Sequence, residues 1–307
     1  MKDNLPLELL TRHRDELNAL GLDDALMIES DVDLFQTLSA PAASAVVFLP
    51  KSKPLIYMTL ALVSNMVAPD GLIVLGGTND AGIRSAKDAF EKYIGPVDQK
   101  IVGNHSALYV GKNKKAPGGK TWQDFLSFFR LEYGDVTIEA AKLPGVFSAG
   151  ELDEGTKLLL DNIPYDRTSV LDVGCGAGLI GAIYKKKNPA AQVTMSDSSP
   201  FAIKATEQTL AKNKIKADVI LSNVFEKIPG HFDLIVTNPP FHKGIGTDYS
   251  FIETFARDAK SMLNKGGAVY LVANSFLAYQ PTLERYIGPT EIVIENPKFR
   301  VFKSVAR

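Results

Sequence analysis

A four-residue segment after an apolar run combines an amide side chain, two prolines and an aromatic ring: Asn238, Pro239, Pro240 and Phe241. Proline has no backbone N–H, so the Pro239 carbonyl is held without competing donors. The carbonyls of the Asn238 side chain and of Pro239 can then accept both N–H groups of one planar amine. Such acceptors can pyramidalise the nitrogen and direct its lone pair at an electrophile, while Phe241 offers a stacking face for an extruded base. The alternative interpretation is a rigid turn that ends a strand.

A dedicated general base is not evident beside this segment. His242 and Asp248 follow it, but a histidine in such a place is typically a structural or substrate-contacting residue. The predicted chemistry therefore depends chiefly on positioning and desolvation.

A second segment, "VLDVGCGAGLIGA" (170–182), places Gly174, Gly176 and Gly178 between a predicted strand and a predicted helix. Glycine permits a tight turn and a close approach of the backbone to a ligand. A dinucleotide fingerprint requires G-x-G-x-x-G, but position 179 is Leu, which argues against a nicotinamide oxidoreductase. Asp172, at the end of the strand, can accept hydrogen bonds from a ligand ammonium group or from backbone amides of the turn.

Two more polar residues end the strands that follow. Asp197, 25 residues after Asp172, can accept both ribose hydroxyls of a nucleoside, or it can cap the next helix. Asn223, after the third strand, can reach an adenine edge. A glycine turn, an acid and an amide at successive strand ends together predict a nucleoside-containing cofactor.

This combination resembles the class I S-adenosylmethionine (SAM)-dependent methyltransferases. The resemblance implies that the three glycines lie against the methionine part of SAM, that Asp197 binds the ribose, and that Ser198 and Asn223 lie near the adenine. Cys175 is predicted to fill the turn rather than act as a nucleophile. The predicted cofactor-binding residues are Asp172, Gly174, Cys175, Gly176, Gly178, Asp197, Ser198, Asn223, Val224 and Asn238, and the predicted catalytic residues are Asn238, Pro239, Pro240 and Phe241.

The N-P-P-[FYW] motif is shared by methyltransferases that act on adenine N6, on the glutamine side-chain amide and on guanine N2. All three targets are planar sp² nitrogens, so the motif defines the class of atom and leaves the molecule open. Cytosine-C5 methyltransferases need a cysteine in their catalytic motif, and the segment 238–241 contains none.

Longer stretches resemble the ribosomal small subunit methyltransferase C family, which methylates guanine N2 in 16S rRNA. They follow one another as "LPGVFSAGELDEGTKLLL", "VLDVGCGAG", "SNVF", "NPPFHKGIGTDYS", "NKGGAVYLVANSFLAY" and "KFRVFKS", through nearly all of 141–307. A close relative that acts on 23S rRNA guanine N2 has a very similar arrangement and stays an alternative. The resemblance implies substrate contacts by Phe241, His242, Lys243, Tyr249 and Asn274, and phosphate contacts by Lys298 and Arg300, which are equally typical of exposed strand residues.

Alternating strand and helix patterns surround these segments and predict an α/β fold. Both halves of the chain show this alternation of strands and helices, which predicts two tandem Rossmann-like class I methyltransferase domains, 1–135 and 136–307. The first half is expected to have a mostly parallel sheet, and "TEIVIEN" and "FRVFKSVAR" to form a final antiparallel pair. "LIVLGGTNDAG" lacks the acid and the glycine spacing, so the first domain is predicted to be degenerate. The family resemblance implies that it holds RNA or the partner domain.

The composition of the chain limits which other classes of protein it can belong to. The 307 residues are 45% hydrophobic and 22% charged, with a net charge of −1 and one cysteine, which excludes a disulfide framework and a cysteine zinc site. No apolar stretch reaches ~18 residues, and acids occupy the region where a signal peptide has its apolar core. We therefore expect a cytoplasmic monomer without a metal, and the family resemblance implies that it acts on 16S rRNA of the small ribosomal subunit. Lysine clusters at 111–120, 184–187 and 212–216 favour solvated loops or helix ends, and a noncatalytic RNA-binding α/β protein stays an alternative.

Overall fold

The computed structural model describes residues 14–22, 24–103, 105–115, 118–147, 150–239 and 245–306, with the backbone alone for 14–16 and 245–250. The chain divides into two compact units, Met1–Leu126 and Ser127–Arg307. Each unit is built from strands and helices in the α/β manner that the sequence predicts.

In the described part of the first unit, a five-stranded sheet has the order β1-β2-β3-β5-β4. Strands β1 to β3 are parallel, whereas β5 runs antiparallel to both of its neighbours. The prediction of a mostly parallel sheet was wrong here, because the two residues between β4 and β5 leave no room for a crossover. The elements are α1 (Arg14–Ala19), β1 (Leu26–Ile28), β2 (Ala42–Phe48), α2 (Lys53–Met66), β3 (Val67–Thr78), α3 (Lys87–Tyr93), β4 (Gln99–Gly103) and β5 (Ser106–Lys112).

In the described part of the second unit, a seven-stranded sheet has the order β10-β9-β8-β11-β12-β14-β13. The first five strands in this order are parallel, and β14 is antiparallel to β12 and to β13, which confirms the predicted final pair. The strands are β8 (Ser169–Val173), β9 (Gln192–Asp197), β10 (Asp218–Leu221), β11 (Phe232–Thr237), β12 (Leu263–Asn274), β13 (Thr290–Glu295) and β14 (Phe299–Val305), and the helices are α4 (Glu154–Leu160), α5 (Leu179–Lys187), α6 (Pro200–Asn213), α7 (Ile245–Ala259) and α8 (Gln280–Tyr286).

A hairpin of β6 (Ser127–Tyr133) and β7 (Val136–Lys142) opens the second unit. Its backbone is held by α6, since Ala141 N donates to Thr209 Oγ1 at 3.0 Å and Glu139 N donates to Asn213 Oδ1 at 2.9 Å. These contacts explain why the division between the units falls at 126/127, earlier than the boundary near 136 expected from the sequence.

Both faces of the seven-stranded sheet are covered. Because successive strand residues point to opposite faces, Val170 packs in a core with α4, α5 and α6, while Leu171 packs in a core with α7 and α8. A strand buried on both sides must be apolar throughout, so a polar residue inside such a strand needs a specific explanation. Asp172, in β8, is a fully buried acid and therefore needs such an explanation.

Candidate functional site

The order of the strands creates a crevice at the carboxyl ends of β8 and β11. From β8 the chain moves outward to β9 and β10, then returns to β11 on the other side of β8. Ligands of doubly wound sheets bind at such a switch point. Thr237 pairs with Val173 across the two strands, and its Oγ1 donates to the Val173 carbonyl at 2.8 Å. The next residues on the two strands are Asn238 and Gly174, so the two predicted motifs meet here.

The three glycines of the turn after β8 have different local roles. All have left-handed backbones, with φ of 73° at Gly174, 56° at Gly176 and 78° at Gly178. A Cβ at Gly178 would lie 2.9 Å from Thr206 Cγ2, so packing against α6 requires glycine there. At Gly174, by contrast, no atom of the described residues lies within 4 Å of such a Cβ. Gly174 is therefore the position where a ligand can approach the backbone.

Cys175, between these glycines, is buried and its sulfur lies 3.3 Å from Thr206 Oγ1. Burial raises the pKa of the Cys175 thiol well above its usual range. A buried thiol of this kind is a poor nucleophile, which agrees with a residue that fills the turn.

Asp172 is a fully buried acid at the end of β8. Its Oδ2 accepts a hydrogen bond from Gly181 N in the first turn of α5 at 3.0 Å, whereas its Oδ1 has no partner among the described residues. Burial raises the pKa of Asp172 to about 7, and the charge of Asp197 acts in the same direction. An orphaned carboxylate oxygen is suited to a cationic ligand group such as an ammonium.

Asp197, at the end of β9, holds the glycine turn against the next helix. Its Oδ2 accepts from Gly176 N and its Oδ1 from Ser199 N, both at 2.9 Å. The helix cap is Ser199, whose hydroxyl accepts from Ala202 N at 3.2 Å, so the alternative interpretation of Asp197 as the cap was wrong. A carboxylate can accept about four hydrogen bonds, so these two are compatible with contacts to a ribose.

The segment after β10 lies beside Asp197, because Ser222 N donates to the Asp197 carbonyl at 2.9 Å. Asn223 is exposed and donates through Nδ2 to Glu226 Oε1 at 2.8 Å. Val224 has a φ of 48°, which is unusual for a β-branched residue and costs about 1–3 kcal/mol. Strain of this kind concentrates at ligand sites, which supports the prediction that this segment contacts the cofactor. Ser198, adjacent to Asp197, is exposed.

Asn238 is buried at the end of β11, with 8% of its surface exposed. Its Nδ2 donates to Asp153 Oδ2 at 2.9 Å and to Thr156 Oγ1 at 2.8 Å. Its Oδ1 is buried and has no hydrogen-bond partner among the described residues. Because a carboxylate accepts and never donates, the contact with Asp153 determines which end of the amide is nitrogen. The arrangement therefore leaves Asn238 Oδ1 as an acceptor for a ligand.

Sequence reasoning missed Asp153 and Thr156. Asp153 caps α4, and its Oδ2 accepts from Thr156 N at 2.8 Å. An Asp three residues before a Thr at the start of "DEGTKLLL" predicts a helix cap. That local signal carries no information about Asn238, which is 85 positions further along the chain.

The structure describes only the first part of the NPPF region. Pro239 is buried, whereas Pro240, Phe241, His242 and Lys243 lie outside the described residues. Tyr249 belongs to the described backbone of α7. Their catalytic and substrate-binding roles stay predictions.

Three predicted substrate contacts lie near the same edge of the sheet. Asn274 ends β12, and Lys298 Nζ contacts Glu154 Oε2 at 2.7 Å, one residue from Asp153. Arg300 Nη2 contacts Glu295 Oε1 at 2.7 Å. The pair of Lys298 and Glu154 is well exposed, so it contributes little stability and a phosphate can compete for the lysine.

Part of the lysine cluster at 184–187 has intramolecular partners. Lys185 Nζ donates to the Pro189 and Ala191 carbonyls after α5, and Lys187 Nζ lies 4.9 Å and 4.7 Å from the ring centres of Tyr133 and Tyr165. These contacts favour the interpretation as a solvated helix end.

Within the described ranges, no three His, Cys, Asp or Glu residues are grouped so that they could hold a metal ion. None of the helices described for this chain is sufficiently long and apolar to span a membrane.

Family models match almost the whole chain. Residues 137–303 match the methyltransferase small domain, and residues 4–129 match the N-terminal domain that accompanies it.

Individual proteins and a solved structure are also similar to this chain. Ribosomal RNA small subunit methyltransferase C of Pseudoalteromonas translucida is 39% identical over 260 residues, which cover 84% of this chain and 76% of that protein. The protein of the same name from Aeromonas hydrophila is 36% identical, covering 95% of this chain and 84% of its own length. A T. thermophilus 16S rRNA N2 methyltransferase in complex with AdoMet and guanosine has a TM-score of 0.77 at 24% identity, covering 89% of this chain and 76% of that one. The likeness to this last structure establishes the fold.

Proposed function

Because the chain belongs to the ribosomal RNA small subunit methyltransferase C family, we propose that it methylates the N2 amine of a guanine in 16S rRNA. It is a SAM-dependent rRNA methyltransferase. The orientation of the Asn238 amide is the observation that supports an amine as the methylated group. Its nitrogen donates to two protein acceptors, and its buried oxygen is available to a donor.

The residues at the ends of β8, β9 and β10 fit SAM. The orphaned oxygen of Asp172 is suited to the ammonium of its methionine part, and Gly174 leaves room for that part beside the backbone. We assign Asp197 to the ribose, and Ser198, Asn223 and the strained Val224 to the adenine. When bound, SAM supplies an electrophilic methyl group on a sulfonium.

Residues of this chain position the nucleophile, which is the guanine N2 amine. Asn238 Oδ1 accepts one N–H of the guanine N2 amine, and the Pro239 carbonyl accepts the other. Both acceptors withdraw the lone pair from conjugation with the ring and direct it toward the methyl group. Phe241 stacks on the base, with Lys243, Tyr249 and Asn274 around the nucleotide and Lys298 and Arg300 on phosphates.

The first unit is proposed to hold RNA or to support the catalytic unit. We also expect the protein to act as a cytoplasmic monomer.

The raised pKa of Asp172 predicts that SAM affinity depends on pH. With a pKa of about 7, the ionised fraction rises about tenfold between pH 6 and 8, and the ionised form attracts the ammonium. The Kd for SAM should fall by up to about tenfold over this range. Calorimetry at pH 6, 7 and 8 would measure this, and the variant Asp172→Asn should show a weaker and flatter profile.

The same pKa determines the sign of a stability effect. Asp172 binds its proton more tightly in the folded than in the unfolded state. Its protonation therefore adds to the free energy of unfolding below about pH 4, and this stabilisation is lost as the pH rises through 7. Between pH 4 and pH 8, the melting temperature without SAM should therefore fall less for Asp172→Asn than for the wild type. An equal loss in both proteins would contradict the assignment.

Transfer of tritium from labelled SAM tests the proposed function. The purified protein is incubated separately with small subunits, large subunits, naked 16S rRNA, DNA and a glutamine-containing release factor. Label in 16S rRNA as N2-methylguanosine is expected. Label confined to large subunits, DNA or protein would replace the proposal by one of the alternative targets, and SAM binding without transfer to any of them would contradict it.

A further inference from the structure

We propose that Asp153 and Thr156 are positioning residues that fix the Asn238 carboxamide with its oxygen toward the substrate amine. The inference deepens the proposed function and rests on its assignment of Asn238 as an acceptor. It makes the start of α4 part of the reaction machinery, although neither residue is expected to touch the substrate.

The contacts allow one orientation of the amide. Asn238 Nδ2 donates to Asp153 Oδ2 and to Thr156 Oγ1, so the nitrogen end of the amide faces both acceptors. A rotation of the amide by 180° would place its oxygen against the Asp153 carboxylate and would leave its buried N–H groups without these partners. Since a buried donor without a partner is costly, the observed orientation is strongly preferred before any substrate binds.

The charge of Asp153 also strengthens the acceptor. Hydrogen bonds to an ionised partner are stronger than neutral ones, and bonds in a chain polarise one another. Donation from Nδ2 to the Asp153 carboxylate draws positive charge toward the nitrogen end and leaves more negative charge on Oδ1. Oδ1 is thereby a better acceptor for the amine, on which positive charge develops during methyl transfer.

Thr156 binds both partners of this network. Its N and Oγ1 donate to Asp153 Oδ2 at 2.8 Å and 3.1 Å, and its Oγ1 accepts from Asn238. The helix cap and the catalytic amide are therefore fixed by the same three side chains. A substitution that preserves the cap but changes the acceptor separates the two roles.

The variant Asp153→Asn makes this separation, because Asn caps helices about as well as Asp. The new amide can turn either its oxygen or its nitrogen toward Asn238, so the orientation is no longer fixed. We expect kcat for RNA methylation to fall at least about tenfold, with the KM for SAM and the melting temperature nearly unchanged. Thr156→Val should also lower kcat, whereas Thr156→Ser, which keeps the hydroxyl, should restore most of it.

A matched control exists at the amino-terminal edge of the same sheet, where Asp233 Oδ1 accepts from Asn264 Nδ2 at 2.9 Å. Asp233→Asn changes an equivalent pair far from the crevice and should leave kcat unaltered. Unchanged kcat in Asp153→Asn would reduce Asp153 to a helix cap and overturn the proposal.

An NMR readout separates this proposal from the proposed function. The side-chain ¹⁵N–¹H pair of Asn238, identified by its loss in Asn238→Asp, should be resolved and protected from exchange in the wild type. In Asp153→Asn it should shift and exchange faster, whatever the substrate is. A protected wild-type signal without RNA methylation would contradict the proposed function alone, and an unprotected signal would contradict the positioning network.

Discussion

Replacing Asn238 by Ala is expected to reduce kcat for RNA methylation by about 10²–10³-fold, the effect typical of removing one preorganised transition-state contact. The substitution removes the acceptor that holds the amine, while the other residues predicted to bind the cofactor stay in place. The Kd for SAM, measured by calorimetry, should therefore change by less than about threefold. Single-turnover rates with saturating SAM and RNA would measure the chemical step directly.

The matched control for this variant is Asn264→Ala, which removes an asparagine from the opposite edge of the sheet. It should retain wild-type turnover. If Asn238→Ala bound SAM normally and still methylated at the wild-type rate, the amine would be held by other groups and the proposed mechanism would be wrong.

Replacing Gly174 by Ala is expected to weaken SAM binding by about ten- to a hundredfold. No described residue lies within 4 Å of the added Cβ, so the described part of the protein has room for it. The methyl group would instead occupy the space through which the cofactor approaches the backbone. Overpacking of this kind costs about 1–3 kcal/mol, which corresponds to the expected change in Kd.

Gly230 provides a control with the same backbone cost. Its φ is 85°, close to the 73° of Gly174, and among the described residues it too has no atom within 4 Å of an added Cβ. It precedes β11 at the edge of the sheet away from the crevice. Both alanine variants should lose similar stability, but Gly230→Ala should bind SAM normally. Equal SAM affinity in the two variants would show that Gly174 is a turn residue without cofactor contact.

The architecture was predictable where local patterns determine it. The stretches "QVTMSD" and "SALYVGK" are the observed strands β9 and β5, because each is an apolar run bounded by turn residues. The hairpin of β6 and β7 was not predicted, since its support comes from Thr209 and Asn213, far along the chain. The antiparallel direction of β5 was also predicted wrongly, because β4 and its two-residue connection to β5 were not recognised in the sequence.

The candidate site, like the fold, was predictable from the sequence only in part. Residues at strand ends, such as Asp172, Asp197 and Asn238, are marked by their place in an apolar pattern, and a parallel sheet brings strand ends together. The orientation of the Asn238 amide depends on Asp153 and Thr156, which a helix start brings close to it through tertiary packing. Sequence periodicity carries no signal for such a contact.

We propose that this chain, through Asn238, methylates a guanine N2 amine in 16S rRNA. The most direct test is mass mapping of 16S rRNA from cells that lack the protein, complemented with wild type or with Asn238→Ala at equal expression. We expect one N2-methylguanosine to disappear in the deletion, to return with the wild type and to stay absent with the variant. An unchanged modification pattern in the deletion would exclude the proposed activity, and full restoration by Asn238→Ala would exclude the proposed role of Asn238.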